Sequence, residues 1–261
     1  MTLHVIQINI WMGKFLHKLT KFLKQEEPDV VTMQEVSGGA PNLWSDKTID
    51  MFLHFRDALG MQGVVAPSYR AIGDPTSYFG NAVLVAGKVL DHRVVWLKEY
   101  REVESIKDPD VWPTLPRNVL DVECEFAAGR KLHVLSTHGA WGREPVDTPE
   151  KVRQAGVLAA HLRSLGDEPY ILGGDFNMES GSEVIRTIDS VAHNAVVASA
   201  IMSTLNMRIH YAASKIPEGR RVDFIYTSPH FTVTRIETPM VDVSDHLPVR
   251  AELAFNSFMS S

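Results

Sequence analysis

The sequence predicts an α/β fold in which mixed β-sheets are covered by helices. Segments with the two-residue apolar period of strands and segments of helical period form two separate strand–helix–strand units. Around those units, short strand-like runs follow one another across turns, as antiparallel strands do. No apolar run reaches the roughly 18 residues that a membrane-spanning helix needs.

Residues 3–10 put His4, Ile6, Ile8 and Ile10 on one face of a strand and Leu3, Val5, Gln7 and Asn9 on the other. Phe15, Leu16, Leu19, Phe22 and Leu23 then recur at helical spacing, with Lys14, Lys18 and Lys21 on the opposite side. Pro28 and Asp29 end that helix, and residues 30–34 form a short apolar strand delivering Glu35 at its C-terminal end. The second unit is a strand over 131–138, a helix over 149–165 and a strand over 170–172. Residues 82–97, 118–126, 222–227, 231–237 and 249–255 read as strands joined by turns. The least regular stretch is 100–116, with Pro109, Pro113 and Pro116 around Trp112, and a loop that long is either functional or disordered. No repeat, low-complexity tract or Pro/Gly/Ser linker divides the chain, so residues 1–261 are expected to form one domain.

An apolar fraction of 44% is enough for a sizeable core. The single cysteine, Cys124, excludes a disulfide framework and a cysteine-rich zinc site, and its alternating surroundings suit a buried structural thiol. The first apolar stretch carries His4, Gln7 and Asn9 and has no leading lysine, so it does not read as a signal peptide and the cytoplasm is the expected location. The net charge of −6 argues against holding duplex nucleic acid by phosphate neutralisation, which wants clustered Lys and Arg. The densest basic stretch, 14–24, reads as a solvated helix face.

Four short segments carry the chemistry. They are Gln7-Ile8-Asn9-Ile10-Trp11, Met33-Gln34-Glu35-Val36, Gly173-Gly174-Asp175-Phe176-Asn177 and Ser244-Asp245-His246. Each sets a carboxylate, amide or imidazole where an apolar run meets turn residues, the place where α/β scaffolds present side chains to substrates. Gly80-Asn81-Ala82-Val83-Leu84, Ser136-Thr137-His138, Arg153-Gln154 and Arg221-Val222-Asp223-Phe224-Ile225 fill the gaps. In this order, from Val5 to about Leu253, the chain resembles the endonuclease/exonuclease/phosphatase superfamily of metal-dependent phosphoesterases, the group containing pancreatic deoxyribonuclease. The resemblance implies a four-layer α/β sandwich, two packed mixed sheets flanked by helices. It also implies Mg2+ or Mn2+ and hydrolysis by direct attack of water on a phosphate ester.

A phosphodiester resists hydrolysis because its phosphorus is shielded by negative charge and its leaving alkoxide is poor. Glu35 is the first expected metal ligand, since a glutamate ending an apolar strand is costly without a partner. Asp175, just past an apolar strand and a Gly-Gly pair, can orient or deprotonate water while Asn177 donates to a phosphoryl oxygen. His246 can act as a base or as a hydrogen-bond donor to the transition state. By resemblance, Asp223 is the partner of His246, Asp245 lies near the metal, Asn9 serves metal and phosphate, and His138 contacts the phosphate or protonates the leaving oxygen. Two departures from the family pattern stand out. Trp11 replaces an acid that some members carry two residues after the asparagine, and residues 77–84 hold no glutamate to support His138. The other nine histidines show no mutual ligand spacing, and Trp44, Trp96 and Phe79 read as core or rim. Trp11 and the 100–116 stretch read either as a wall and lid at the site or as packing.

The expected function is a phosphoesterase acting on a small phosphate ester. The alternatives are a nuclease or DNA-repair phosphodiesterase using the same residues, or a catalytically silent binding module. No obligate protein partner is evident in the sequence.

Overall fold

The computed structural model describes residues 1–44 and 46–256. Its first sheet runs β11(Phe231–Glu237)–β12(Val249–Phe255)–β1(Thr2–Asn9)–β2(Val30–Gly38)–β4(Asp74–Val85)–β3(Gln62–Ala71). The second runs β5(Lys88–Lys98)–β6(Arg117–Phe126)–β7(Arg130–His138)–β8(Tyr170–Asp175)–β10(Asp223–Thr227)–β9(His193–Asn194). Each sheet has one parallel pair at its centre, β1/β2 and β7/β8, and antiparallel pairs elsewhere. A helix makes each parallel crossover, α1(Leu16–Glu26) in the first sheet and α3(Pro149–Ser164) in the second. The predicted sandwich of two mixed sheets with flanking helices is the observed fold.

Val5, Val30, Val83, Val122, Val134, Leu172 and Val249 belong to one buried cluster that takes residues from both sheets and from α3. A second cluster joins Ile6, Ile8, Val31 and Met33 to the apolar stripes of α1 and α2(Met51–Leu59). Full burial of one such side chain contributes about 1.5–3 kcal/mol, so these two seams hold the layers together.

Several local expectations change. Residues 82–97 divide at Ala86-Gly87 into β4 and β5, which lie in different sheets, so the turn is a crossover rather than a hairpin. Helix α2, strand β3 and helix α4(Glu183–Asp189) lay outside the sequence reading; both helices are short, and each is announced chiefly by its N-cap, Asp50 or Ser182. Glu35 is not at a strand end. It sits within β2 where the pairing with β4 slips between Met33 and Val36, with φ of 59°. The 100–116 stretch carries a 3-10 turn, Pro109–Thr114, and the longest irregular segment lies instead between β9 and β10.

Candidate active site

Strand register does most of the assembly. His138, Asp175 and Asp223 are paired across the adjacent strands β7, β8 and β10: His138 opposite Asp175, and Asp175 opposite Asp223. On the other sheet Asn9 is opposite Gln34, one residue before Glu35. The loop before β12 completes the ring, because β12 runs antiparallel to β1 and must begin where β1 ends. Ser244 Oγ donates to the Asn9 carbonyl at 2.7 Å, and the 203–206 segment holds the other side through Asn206 N–H to the Asp245 carbonyl at 2.8 Å. The sequence-selected Asn9, Glu35, His138, Asp175, Asn177, Asp223, Asp245 and His246 therefore meet at one end of the sandwich.

Asp175 lies at the centre. Its Oδ2 accepts from Asn9 Nδ2 at 3.0 Å and lies 3.5 Å from His138 Nε2 and 3.8 Å from His246 Nε2. Its Oδ1 accepts the Asn177 backbone N–H at 2.9 Å, which helps hold Asn177 at φ 51°. Asn9 Nδ2 also donates to Glu35 Oε1 at 3.2 Å, tying the two sheets' carboxylates together. His246 Nδ1 is 2.8 Å from Asp223 Oδ2. A donor on Nδ1 leaves Nε2 directed toward Asp175, the arrangement of an imidazole oriented by a carboxylate.

Glu35, Asp175, Asp223 and Asp245 place four carboxylates in this small volume. Burial first, then the charge of Asp245, pushes Glu35 up to about 7, and burial raises Asp245 to about 6. Burial would lower His246, but the charges of Asp223 and Asp175 hold it well above its ordinary value. His138 is driven down to about 3 by burial and by the Arg117 guanidinium, so it is neutral at pH 7. Its Nδ1 is buried without a hydrogen-bond partner among the described residues, in keeping with the missing acid of residues 77–84.

Glu35 Oε2 is likewise buried and unpartnered among the described residues, which is unusual for a carboxylate oxygen. The donor set of buried carboxylates and amide oxygens suits a hard divalent cation. Asp175, Asp223 and His246 are also close enough to share an ion. The Asp223–His246 hydrogen bond already satisfies that pair, whereas Glu35 Oε2 lacks a partner, so Glu35 fits a cation better.

Other residues escaped the sequence reading. Arg117, only 2% exposed, donates Nε to the Gly139 carbonyl at 3.0 Å and acts electrostatically on Tyr69, Glu35 and Asp175. The Tyr69 hydroxyl, buried and without a partner among the described residues, belongs to a ring stacked on Phe79 at 5.0 Å. Gln7, quoted in the first motif but given no role there, bridges toward Asp223 at 3.4 Å and also bonds Gln34, which reaches Ser136 at 3.1 Å, so one amide chain crosses between the sheets. His210 stands 6.4 Å from the His246 ring, and burial, with the His246 charge next, lowers it to about 4. A single Arg after Pro116 or a His in a long loop gives no periodic signal; only contact reveals it. Trp11 packs near Phe15 and Trp44, with the Lys14 ammonium 3.6 Å from its ring, and its backbone N–H bonds Asn9 Oδ1.

Comparison with known proteins identifies the family and the fold. The model of the Endonuclease/Exonuclease/phosphatase family matches residues 6–246. The chain belongs to this family, whose members are generally hydrolases acting on phosphate esters. No curated protein matches it by sequence. A family member from Bacteroides vulgatus superposes with a TM-score of 0.74 at 20% identity, covering 98% of this chain and 100% of that one. A mannosyl-6-phosphatase from Bacteroides thetaiotaomicron VPI-5482 gives 0.72 at 18%, covering 97% and 100%. The human Nocturnin catalytic domain with bound sulfate gives 0.67 at 19%, covering 98% and 95%. At these identities the likeness is one of fold. No helix among the described residues is long and apolar enough to cross a membrane.

Proposed function

We propose that this protein is a divalent-metal-dependent phosphoesterase that hydrolyses a small phosphodiester or phosphomonoester by direct attack of water. The observation that carries this reading is Glu35 Oε2, buried without a partner beside Asp245 and facing a separately satisfied His246–Asp223 pair. Glu35 and Asp245, with Asn9, would hold Mg2+ or Mn2+, and the ion when bound supplies charge stabilisation to the phosphoryl oxygens. Asp175 orients the attacking water and takes its proton at Oδ2. His246, kept cationic by its carboxylate neighbours, donates from Nε2 to the phosphoryl group as charge builds there. Asp223 fixes the imidazole's tautomer and orientation. Asn9, Asn177 and the neutral His138 donate to phosphate oxygens.

Residues 1–261 act as one domain in this reading, because Asn9 and Glu35 come from one sheet and Asp175 and Asp223 from the other. The test is turnover of chromogenic phosphodiesters, phosphomonoesters, abasic duplex DNA and single-stranded RNA, each with Mg2+, Mn2+ or chelator. Metal-dependent turnover of a small ester supports the proposal. Turnover confined to nucleic acid transfers the same residues to the nuclease reading, and metal-independent turnover rejects the role given to Glu35.

A further inference from the structure

Aromatic rings in contact lead from the catalytic imidazole through His210 to the exposed Tyr211. His246 and His210 are edge-on at 6.4 Å between centroids, and His210 and Tyr211 lie tilted at 4.5 Å. The Trp141 indole donates toward the Tyr211 hydroxyl, and Trp141 meets Trp112 edge-on at 5.0 Å. Tyr211 stands 68% exposed, with its ring against that of His210, which in turn meets the catalytic imidazole of His246. Tyr211 packs one side of its ring near His210 and leaves most of its area open to a ligand.

The ring ledge has support that is costly to build for surface decoration. Trp112 Nε1 donates to the Ile106 carbonyl at 2.8 Å. Arg220 clamps the two loops by reaching Glu144 at 2.9 Å and Glu179 at 3.1 Å. His210 Nδ1 accepts the Ala212 N–H at 3.1 Å, which fixes its proton on Nε2 as a donor beside the site.

We propose that Tyr211, backed by Trp141, is a stacking platform for the base of a nucleotide substrate, with His210 facing the sugar between base and phosphate. This assignment rests on the phosphoesterase reading above and names its substrate class. Three features select a base over other groups. The charged side chains around the ledge, Arg143 with Asp110 and Arg220 with its two glutamates, are already paired, leaving few donors for a hydroxyl-rich sugar. Aromatic faces stack on any base without needing hydrogen bonds. The open ring is also one ring removed from His246, which leaves room for a ribose between base and phosphorus; an aryl ester would put its ring directly beside the phosphorus.

The test compares substrates that differ only in the base. Adenosine 5′-monophosphate is set against ribose 5-phosphate, and thymidine 5′-p-nitrophenyl phosphate against 2-deoxyribose 5-(p-nitrophenyl phosphate), with phenyl phosphate as the aryl arm. The base-bearing member should be favoured in kcat/KM. Tyr211→Ala should lower that member alone by roughly 5- to 150-fold, the range of one lost base stack. Trp141→Ala should act in the same direction, and the exposure of Tyr211 makes Tyr211→Ala tolerable to the fold. Equal rates with and without a base overturn the proposal, as does an equal loss on both members. Dependence on Tyr211 for phenyl phosphate alone would mean an aryl ligand and also overturn it. A wild type inactive on every ester defeats the phosphoesterase reading instead. The platform is then judged by titrating chelated protein with adenosine 5′-monophosphate and ribose 5-phosphate: a base preference abolished by Tyr211→Ala sustains it, and equal affinities reject it.

Discussion

At the scale of single residues, Glu35 and Asp245 link the site to pH. Their carboxyls rise, mainly through burial, from 4.5 to about 7 and from 3.8 to about 6. A folded-state pKa raised in this way gives stability that is complete below the ordinary value and lost as pH rises through the folded one. A bound cation offsets that loss. The Tm difference between magnesium-loaded and chelated protein should therefore widen as pH climbs from 4.5 to 7. Glu35→Gln should flatten this trend; a wild-type difference that ignores pH would remove both carboxylates from the cation. The 2.8 Å contact of His246 with Asp223 makes a second prediction. His246→Ala should lower kcat by roughly 100- to 10,000-fold. Adding Asp223→Asn to it should change little more, because residues acting as one unit do not lose activity independently. Multiplicative losses in single-turnover measurements would refute the pairing.

At the scale of elements, the backbone departs from regular geometry where it must present these groups. Trp11, Met12, Glu35 and Asn177 all have positive φ without being glycine, and Trp11, Glu35 and Asn177 adjoin or belong to the site. Glu35 owes its position to the slipped register of β2 against β4. The sheets themselves approach closely at Gly173, where a methyl group would lie 2.0 Å from Thr32 Oγ1 and 2.9 Å from Gln7 Oε1. Gly173→Ala should thus force β8 away from β1 and β2, costing about 1–3 kcal/mol by overpacking. The shift should also move Asp175, two residues on, so urea midpoint and kcat are expected to fall together. An unchanged midpoint would mean the inter-sheet space has slack.

At the scale of the whole molecule, a second buried polar cluster lies on the second sheet, where it bridges β6, β7 and α3. Asp121, 1% exposed, binds His133 Nδ1 at 2.7 Å and His161 Nε2 at 2.9 Å, and His133 Nε2 reaches Glu168 at 2.6 Å. Against the desolvation of burial, hydrogen bonds from the two histidines hold Asp121 down at about 2. Its stability is present above its ordinary 3.8 and lost as pH falls through 2. Asp121→Asn should cost roughly 3 kcal/mol, as breaking a buried pair does, and leave kcat/KM unchanged. Reduced turnover in a variant that still folds would mean the cluster communicates with the site.

The sequence by itself determined the layered α/β class, both strand–helix–strand units, the family, and the eight polar residues gathered at the site. It could do so because strand and helix periods are local, and because a carboxylate or imidazole next to an apolar run is conspicuous in one dimension. The short α2 and α4 gave little beyond their caps, and the β4–β5 turn read like any hairpin. Only the tertiary structure decided that β4 and β5 belong to different sheets, since a two-residue turn does not encode which neighbour a strand pairs with. It alone placed Glu35 at a register slip, gave Gln7 its partners across the sheets, and brought Arg117, Tyr69 and His210 to the site from positions without periodic or motif signal. Their roles arise from contacts between segments far apart in the chain: Gln7 meets Asp223 across 216 positions, and Ser244 secures Asn9 across 235. Such contacts exist only after two sheets have packed, because packing is what removes water and gives a buried amide, guanidinium or imidazole its partner.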